Sequence, residues 1–163
     1  MLFAKGFYFY YFCSNGKMMK KIALITGATS GIGRAAAQIL AANAYDVIIT
    51  GRRAALLEET GQLIREKTGA DVLTLSFDVR DMEQVQAHLG NLRGKWKKVD
   101  VLVNNAGLAS GLSHIQDGDI EDWEKMIDTN IKGLLYVTRV ISPGMVARGS
   151  GHIVNIGSIA GKE

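Results

Sequence analysis

Short unbroken apolar runs alternate along this chain with longer segments in which apolar residues recur every three or four positions. The runs predict strands buried on both faces, and the segments predict amphipathic helices. The first run, Ile22 to Thr26, leads into a glycine-rich turn. A helix opens near Gly31 and continues through Ala35-Ala-Ala-Gln-Ile-Leu-Ala-Ala42. Tyr45 to Thr50 is a second, β-branched strand, ended by Gly51-Arg52-Arg53. Ala54 to Lys67 is helical, with Gly69 as its stop. A third strand, Asp71 to Phe77, ends in Asp78-Val79, and Asp81 caps a helix of Met82 to Leu92. Val99 to Val103 is the fourth strand, and it ends in Asn104-Asn-Ala-Gly107. A polar loop reaches about Asp117, and helices are expected over Ile120 to Asp128 and Asn130 to Arg148. Pro143 should bend or interrupt the second of these. His152 to Ile156 is a fifth strand, followed by Gly157-Ser158.

Strand and helix alternate throughout, which predicts an α/β fold with a doubly wound parallel sheet and right-handed crossovers. Ligands of such sheets lie beyond the carboxyl ends of the strands. Each unusual loop falls at such an end: Gly27 to Gly33, Gly51 to Arg53, Asp78-Val79, Asn104 to Gly107 and Gly157-Ser158.

The glycine loop carries most of the chemistry. Strand, tight turn and helix start together make an anion site of free N–H groups at the positive end of a helix dipole. Gly27 permits the exit from the strand, Gly31 clears room for a pyrophosphate, and Gly33 allows close packing of the helix. The alternative is a plain turn, which also needs glycine. The spacing is Gly-x-x-x-Gly-x-Gly. A site that prefers NAD carries an acid at the end of the second strand. Here Gly51 stands there, followed by Arg52 and Arg53, whose guanidinium groups suit a 2′-phosphate. Arg34 can assist. The alternative is a pair of solvent-facing charges at a helix start, although a helix N-terminus disfavours cations. Asp78 either accepts from an adenine amino group or caps the next helix. Asn104 to Gly107 either borders a cofactor ribose or makes an Asn-rich turn. Ser158 is placed to polarise a carbonyl or merely makes a turn, and Asn130 either serves a site or caps a helix. His114 either faces substrate or lies on the surface.

The chain has 163 residues, enough for one domain, and 47% are hydrophobic. The net charge of +3 is scattered, so no nucleic-acid footprint is read. Cys13 is alone, so no internal disulfide is possible and a reducing, cytoplasmic setting is expected. His88, His114 and His152 lack metal-ligand spacing, so no metal site is expected. No apolar run is long enough to span a bilayer, so no membrane partner is expected. Seven of the twelve aromatics fall between Phe3 and Phe12. Residues 1–19 are read as a start-site extension or leader, and residues 20–163 as the domain.

From Lys20 onward the chain resembles the short-chain dehydrogenase/reductase family. The resemblance rests on Thr26-Gly-Ala-Thr-Ser-Gly-Ile-Gly33, Asn104-Asn-Ala-Gly107, Asn130 and Ser158, in that order and spacing. Gly51-Arg-Arg53, Asp122-Trp-Glu-Lys-Met-Ile-Asp-Thr-Asn130 and Pro143-Gly-Met-Val146 look like the NADP-dependent 3-hydroxy acid dehydrogenases, which act on serine and similar small hydroxy acids. The resemblance implies a Rossmann-type fold, NADP as cofactor, a small-molecule substrate and a homo-oligomeric full-length parent. It implies that Gly27, Ala28, Thr29, Ser30, Gly31, Ile32 and Gly33 cradle the pyrophosphate and that Arg52 and Arg53 hold the 2′-phosphate. Asp78 and Val79 would meet adenine, and Asn105, with Ala106 and Gly107, the nicotinamide-side ribose. Ser158 would hydrogen-bond the substrate oxygen, and Asn130 would hold a water in a proton relay. The family's Tyr-x-x-x-Lys pair, expected about a dozen residues after Ser158, has no counterpart before Glu163. The chain therefore reads as the front portion of a longer enzyme with an incomplete sheet of about five strands. The fifth strand is expected to be an exposed edge, and the fold marginal and prone to associate. A catalytically inactive nucleotide-binding fragment is the alternative. A relative of the sugar-nucleotide epimerases is disfavoured by the glycine spacing and by Gly51.

Overall fold

The computed structural model describes residues 20–111 and 113–158. The leader assigned to residues 1–19 lies outside the described residues. Five strands form one parallel sheet: β1 (Lys21–Ile25), β2 (Tyr45–Gly51), β3 (Val72–Ser76), β4 (Val99–Asn104) and β5 (His152–Asn155), in the order β3-β2-β1-β4-β5. Every neighbouring pair is parallel, with Ile25 opposite both Ile49 and Val103. The helices are α1 (Gly31–Ala42), α2 (Ala54–Thr68), α3 (Met82–Leu89), α4 (Ile120–Ile127) and α5 (Leu134–Arg148). This is the expected doubly wound Rossmann-type arrangement.

The central strands β1, β2 and β4 are largely buried on both faces, which is why they read as apolar runs. Ile22, Leu24, Ile48 and Leu102 pack with Val85 and Leu89 of α3 and Val137, Ile141 and Met145 of α5. Ala23, Ile25, Val47, Ile49 and Val103 pack with Ala37 and Ala41 of α1 and Leu57 and Ile64 of α2. β5 pairs with β4 and lies at the sheet's edge, with Ile153 exposed. The strand order reverses between β1 and β4, the point at which ligands of such sheets bind.

Local signals set the ends. Asp81 accepts hydrogen bonds from the Glu83 and Gln84 amides and starts α3. Gly69 and Gly149, both left-handed, stop α2 and α5. Two expectations are corrected. The helix after Asp81 ends at Leu89, because Gly90 follows and Asn91 turns its side chain back onto the Ala87 carbonyl, 3.0 Å away. Helix α5 runs unbroken through Pro143. The irregularity lies earlier, at Asp128–Gly133, where one wide π-helical turn joins α4 to α5.

Candidate functional site

The end of β1 and the end of β4 are stitched together. The Thr26 hydroxyl accepts from the Asn105 and Ala106 amides at 3.0 and 2.9 Å. The Asn105 side chain returns two bonds, to the Thr26 and Gly27 carbonyls at 2.9 and 3.2 Å. This approach dictates two glycines. A Cβ on Gly27 (φ +67°) would lie 2.8 Å from the Ala106 Cα, and one on Gly33 would lie 2.3 Å from the Asn105 amide nitrogen and 2.6 Å from the Gly27 carbonyl oxygen. Gly33 thus makes room for the loop and Asn105. Gly31 is different: it is left-handed at φ +56°, and a Cβ there would meet no protein atom within 4 Å.

A recess of about 470 Å³ opens at this point. It is lined by Gly27, Thr29 to Ile32, Gly51 to Arg53, Phe77 to Val79, Asn105 to Leu108 and Thr129. Two helices begin at it without a side-chain cap: Ser30 before α1 makes no capping bond, and neither does Arg53 before α2. Neither helix carries an acid in its first turn, whereas α3 and α4 are capped by Asp81 and Asp119. Uncapped amides and two dipole ends favour an anion there. Arg53 donates to the Thr29 and Ser30 hydroxyls at 2.7 and 3.1 Å, so its charge lies over the glycine loop. Arg52 is largely exposed and stands 3.9 Å from an Asp78 oxygen. A Cβ on Gly51 would lie 2.7 Å from the Thr29 methyl, so an acid at this position would displace Thr29.

Asp78 is held by Arg80, whose guanidinium reaches both carboxylate oxygens at 2.6–3.1 Å. Partial burial works against ionisation, but bonds from the Arg80 side chain and amide, with Arg52 nearby, hold the carboxyl below its usual range. It does not cap α3; Asp81 does. Asn130, in the π turn, brackets the loop after β4. Its Oδ1 accepts from the Leu108 amide at 2.9 Å, and its Nδ2 donates to the Leu108 carbonyl at 2.8 Å. Asn104 donates to the Thr138 hydroxyl and to Asn155 Oδ1, which ties β4 to α5 and β5.

Most of the expected site residues converge on the recess. Ala28 and Gly33 are buried behind it, and Asn130 stands behind Gly107 and Leu108. Ser158, exposed beyond β5, is not among the lining residues. Arg34 turns away and pairs with Glu59 at 3.4 Å. His114 is exposed in the loop after Gly107, and no histidine lines the recess. Among the described residues no cluster of His, Cys, Asp or Glu is arranged to hold a metal, and no helix is long and apolar enough to cross a membrane. Sequence reasoning missed Thr26, Phe77, Leu108 and Thr129. Thr26 had one signal, its place directly before Gly27. Thr129 Oγ1 is buried at the recess wall and meets no hydrogen-bond partner among the described residues.

A family model described as short chain dehydrogenase matches residues 21–163. The chain belongs to the short-chain dehydrogenase family. It is 49% identical over 140 residues to the NADP-dependent 3-hydroxy acid dehydrogenase YdfG of Salmonella typhi, covering 86% of this chain and 55% of that protein. The crystal structure of serine dehydrogenase from Escherichia coli matches with a TM-score of 0.80 and 44% identity, covering 87% of this chain and 64% of that one. A closed form of serine dehydrogenase complexed with NADP+ also matches at 0.80 and 44%, covering 87% and 56%. The chain spans about half the length of the curated relatives it matches.

Proposed function

We propose that this chain is the nucleotide-binding portion of an NADP-dependent short-chain dehydrogenase/reductase that acts on a small 3-hydroxy acid or a related alcohol–carbonyl pair. The supporting observation is the convergence of two uncapped helix N-termini and two arginines on one recess at the sheet's switch point. The residues fit the cofactor. Gly31 leaves open space where a pyrophosphate would approach the backbone, and the lining carries cations where a 2′-phosphate needs them. Asp78-Val79 are at hand for adenine, Asn105 to Gly107 for the nicotinamide-side ribose, and the relatives' names point to NADP.

Bound NADP would supply a hydride acceptor or donor at nicotinamide C4. The chain's residues bind and orient it and manage the proton. Ser158 would donate to the substrate oxygen. Both ends of the Asn130 amide are committed to Leu108, so the relay water would be held by the Asn130 main-chain carbonyl in the π turn, a type of turn frequent at functional sites.

A second reading is nucleotide binding without hydride transfer. It is favoured by the positions of the two described tyrosines: Tyr45 opens β2 at the far end of the sheet, and Tyr136, a residue of α5, packs against the core. Neither lines the recess. The test is NADPH binding and turnover by this polypeptide, with L-serine plus NADP and a small semialdehyde plus NADPH. Binding with turnover supports the enzyme. Binding alone supports the second reading. Absence of binding contradicts both.

A further inference from the structure

At the opposite end of β4 from the nucleotide recess, a second hollow of about 520 Å³ lies between α3 and α5. That volume is within the range of small-molecule sites, roughly 300–1,000 Å³. Its floor is apolar, made by Leu89, Leu92, Val99 and Ile141. Its charged lining residues are Lys97, Lys98 and Arg148, and no acid lines it. Lys98 already has a partner of its own, so Lys97 and Arg148 carry the charge of the site.

Arg148 is only partly used. Its Nη2 donates to the Val99 carbonyl at 2.7 Å, which fixes the side chain across the mouth of β4. Its Nε is buried and meets no acceptor among the described residues. The guanidinium lies against Gly144, where a Cβ would stand 3.3 Å from Nη1. Gly144 is thus a glycine inside a helix, which costs helix stability, and the open backbone gives the guanidinium its place. A cation that only offset the dipole at the end of α5 would turn onto that helix's last carbonyls. This one reaches across to β4.

We propose that this hollow is a second binding site, for an amphipathic monoanion of the aliphatic carboxylate class. The carboxylate would sit between Arg148 and Lys97, and the hydrocarbon would lie on Leu89, Leu92 and Ile141. Guanidinium groups match carboxylates in shape as well as charge. The apolar floor supplies burial that a bare anion cannot use.

The experiment is a titration of the ¹⁵N-labelled chain with octanoate, read at the Gly90, Gly94 and Gly144 amides. Octanol and inorganic phosphate serve as controls for tail and head. Saturable shifts at these three glycines are expected with octanoate, and weaker ones with either control. Lys97→Glu, an exposed substitution that spares the fold, should weaken octanoate about fivefold, the scale of one exposed charge pair. Three results would overturn the proposal: no saturable shift at these glycines, octanol binding as tightly as octanoate, or Lys97→Glu leaving octanoate affinity unchanged. Phosphate binding as tightly as octanoate would overturn the tail's part and with it the proposed class.

Discussion

Gly33→Ala reverses a common rule. Gly to Ala inside a helix ordinarily stabilises by about 1 kcal/mol. Gly33 sits in the first turn of α1, but a Cβ there would lie 2.3 Å from Asn105 Nδ2 and 2.6 Å from the Gly27 carbonyl oxygen. The second atom is backbone and cannot swing away. Displacing Asn105 removes its bonds to the Thr26 and Gly27 carbonyls, worth roughly 1–3 kcal/mol together. Forcing the two loops apart adds roughly 1–3 kcal/mol of overpacking. After the helix gain is subtracted, a net loss of about 3 kcal/mol remains, which lowers Tm by roughly 10 °C for a chain of this size. Urea unfolding followed by circular dichroism measures it. Gly31→Ala is the control. It meets no protein atom, so its cost is the left-handed backbone alone, about 1 kcal/mol, while its methyl blocks the recess and removes NADPH binding. If Gly33→Ala were neutral or stabilising, the close approach of the two loops would be refuted.

Three other outcomes follow from the same geometry. Thr26→Val leaves the Asn105 and Ala106 amides without their acceptor and should cost roughly 2–4 kcal/mol in urea unfolding, whereas Thr26→Ser should cost less than half as much. Asn130→Ala frees Leu108 on both sides, so hydrogen exchange should rise from residue 107 to 111 while the β1 amides stay protected. Asp78 has its carboxyl held below the usual range, so its contribution is present above that range and lost as pH falls through the folded value. Asp78→Asn should therefore unfold at lower urea near about pH 7 but lose less stability than the parent between about pH 5 and pH 2.

The parallel sheet was legible because burial on both faces leaves a plain mark, an unbroken β-branched run such as Val47-Ile48-Ile49. The glycine loop and the arginines were legible because each falls at a strand's carboxyl end. The cross-links were not. The hold of Thr26 on the loop after β4 joins residues 79 and 80 positions apart, and no local pattern announces such a pair. Asn130 presents the same difficulty. Its position between two helices suggested a cap, but its partner, Leu108, lies 22 residues upstream. Pro143 was read as a bend or an interruption, and the interruption is absent: packing of Val137, Ile141 and Met145 onto the sheet keeps α5 continuous.

Under the proposed function, the recess between β1 and β4 holds a nucleotide bearing a 2′-phosphate. Fluorescence titration of this chain with NADPH and with NADH, repeated for Arg52→Asp, tests it most directly. NADPH should bind at least about tenfold tighter than NADH, the scale of one charge-assisted hydrogen bond. Arg52→Asp should weaken NADPH far more than NADH. Equal affinities for the two nucleotides, or equal losses in the variant, would contradict it.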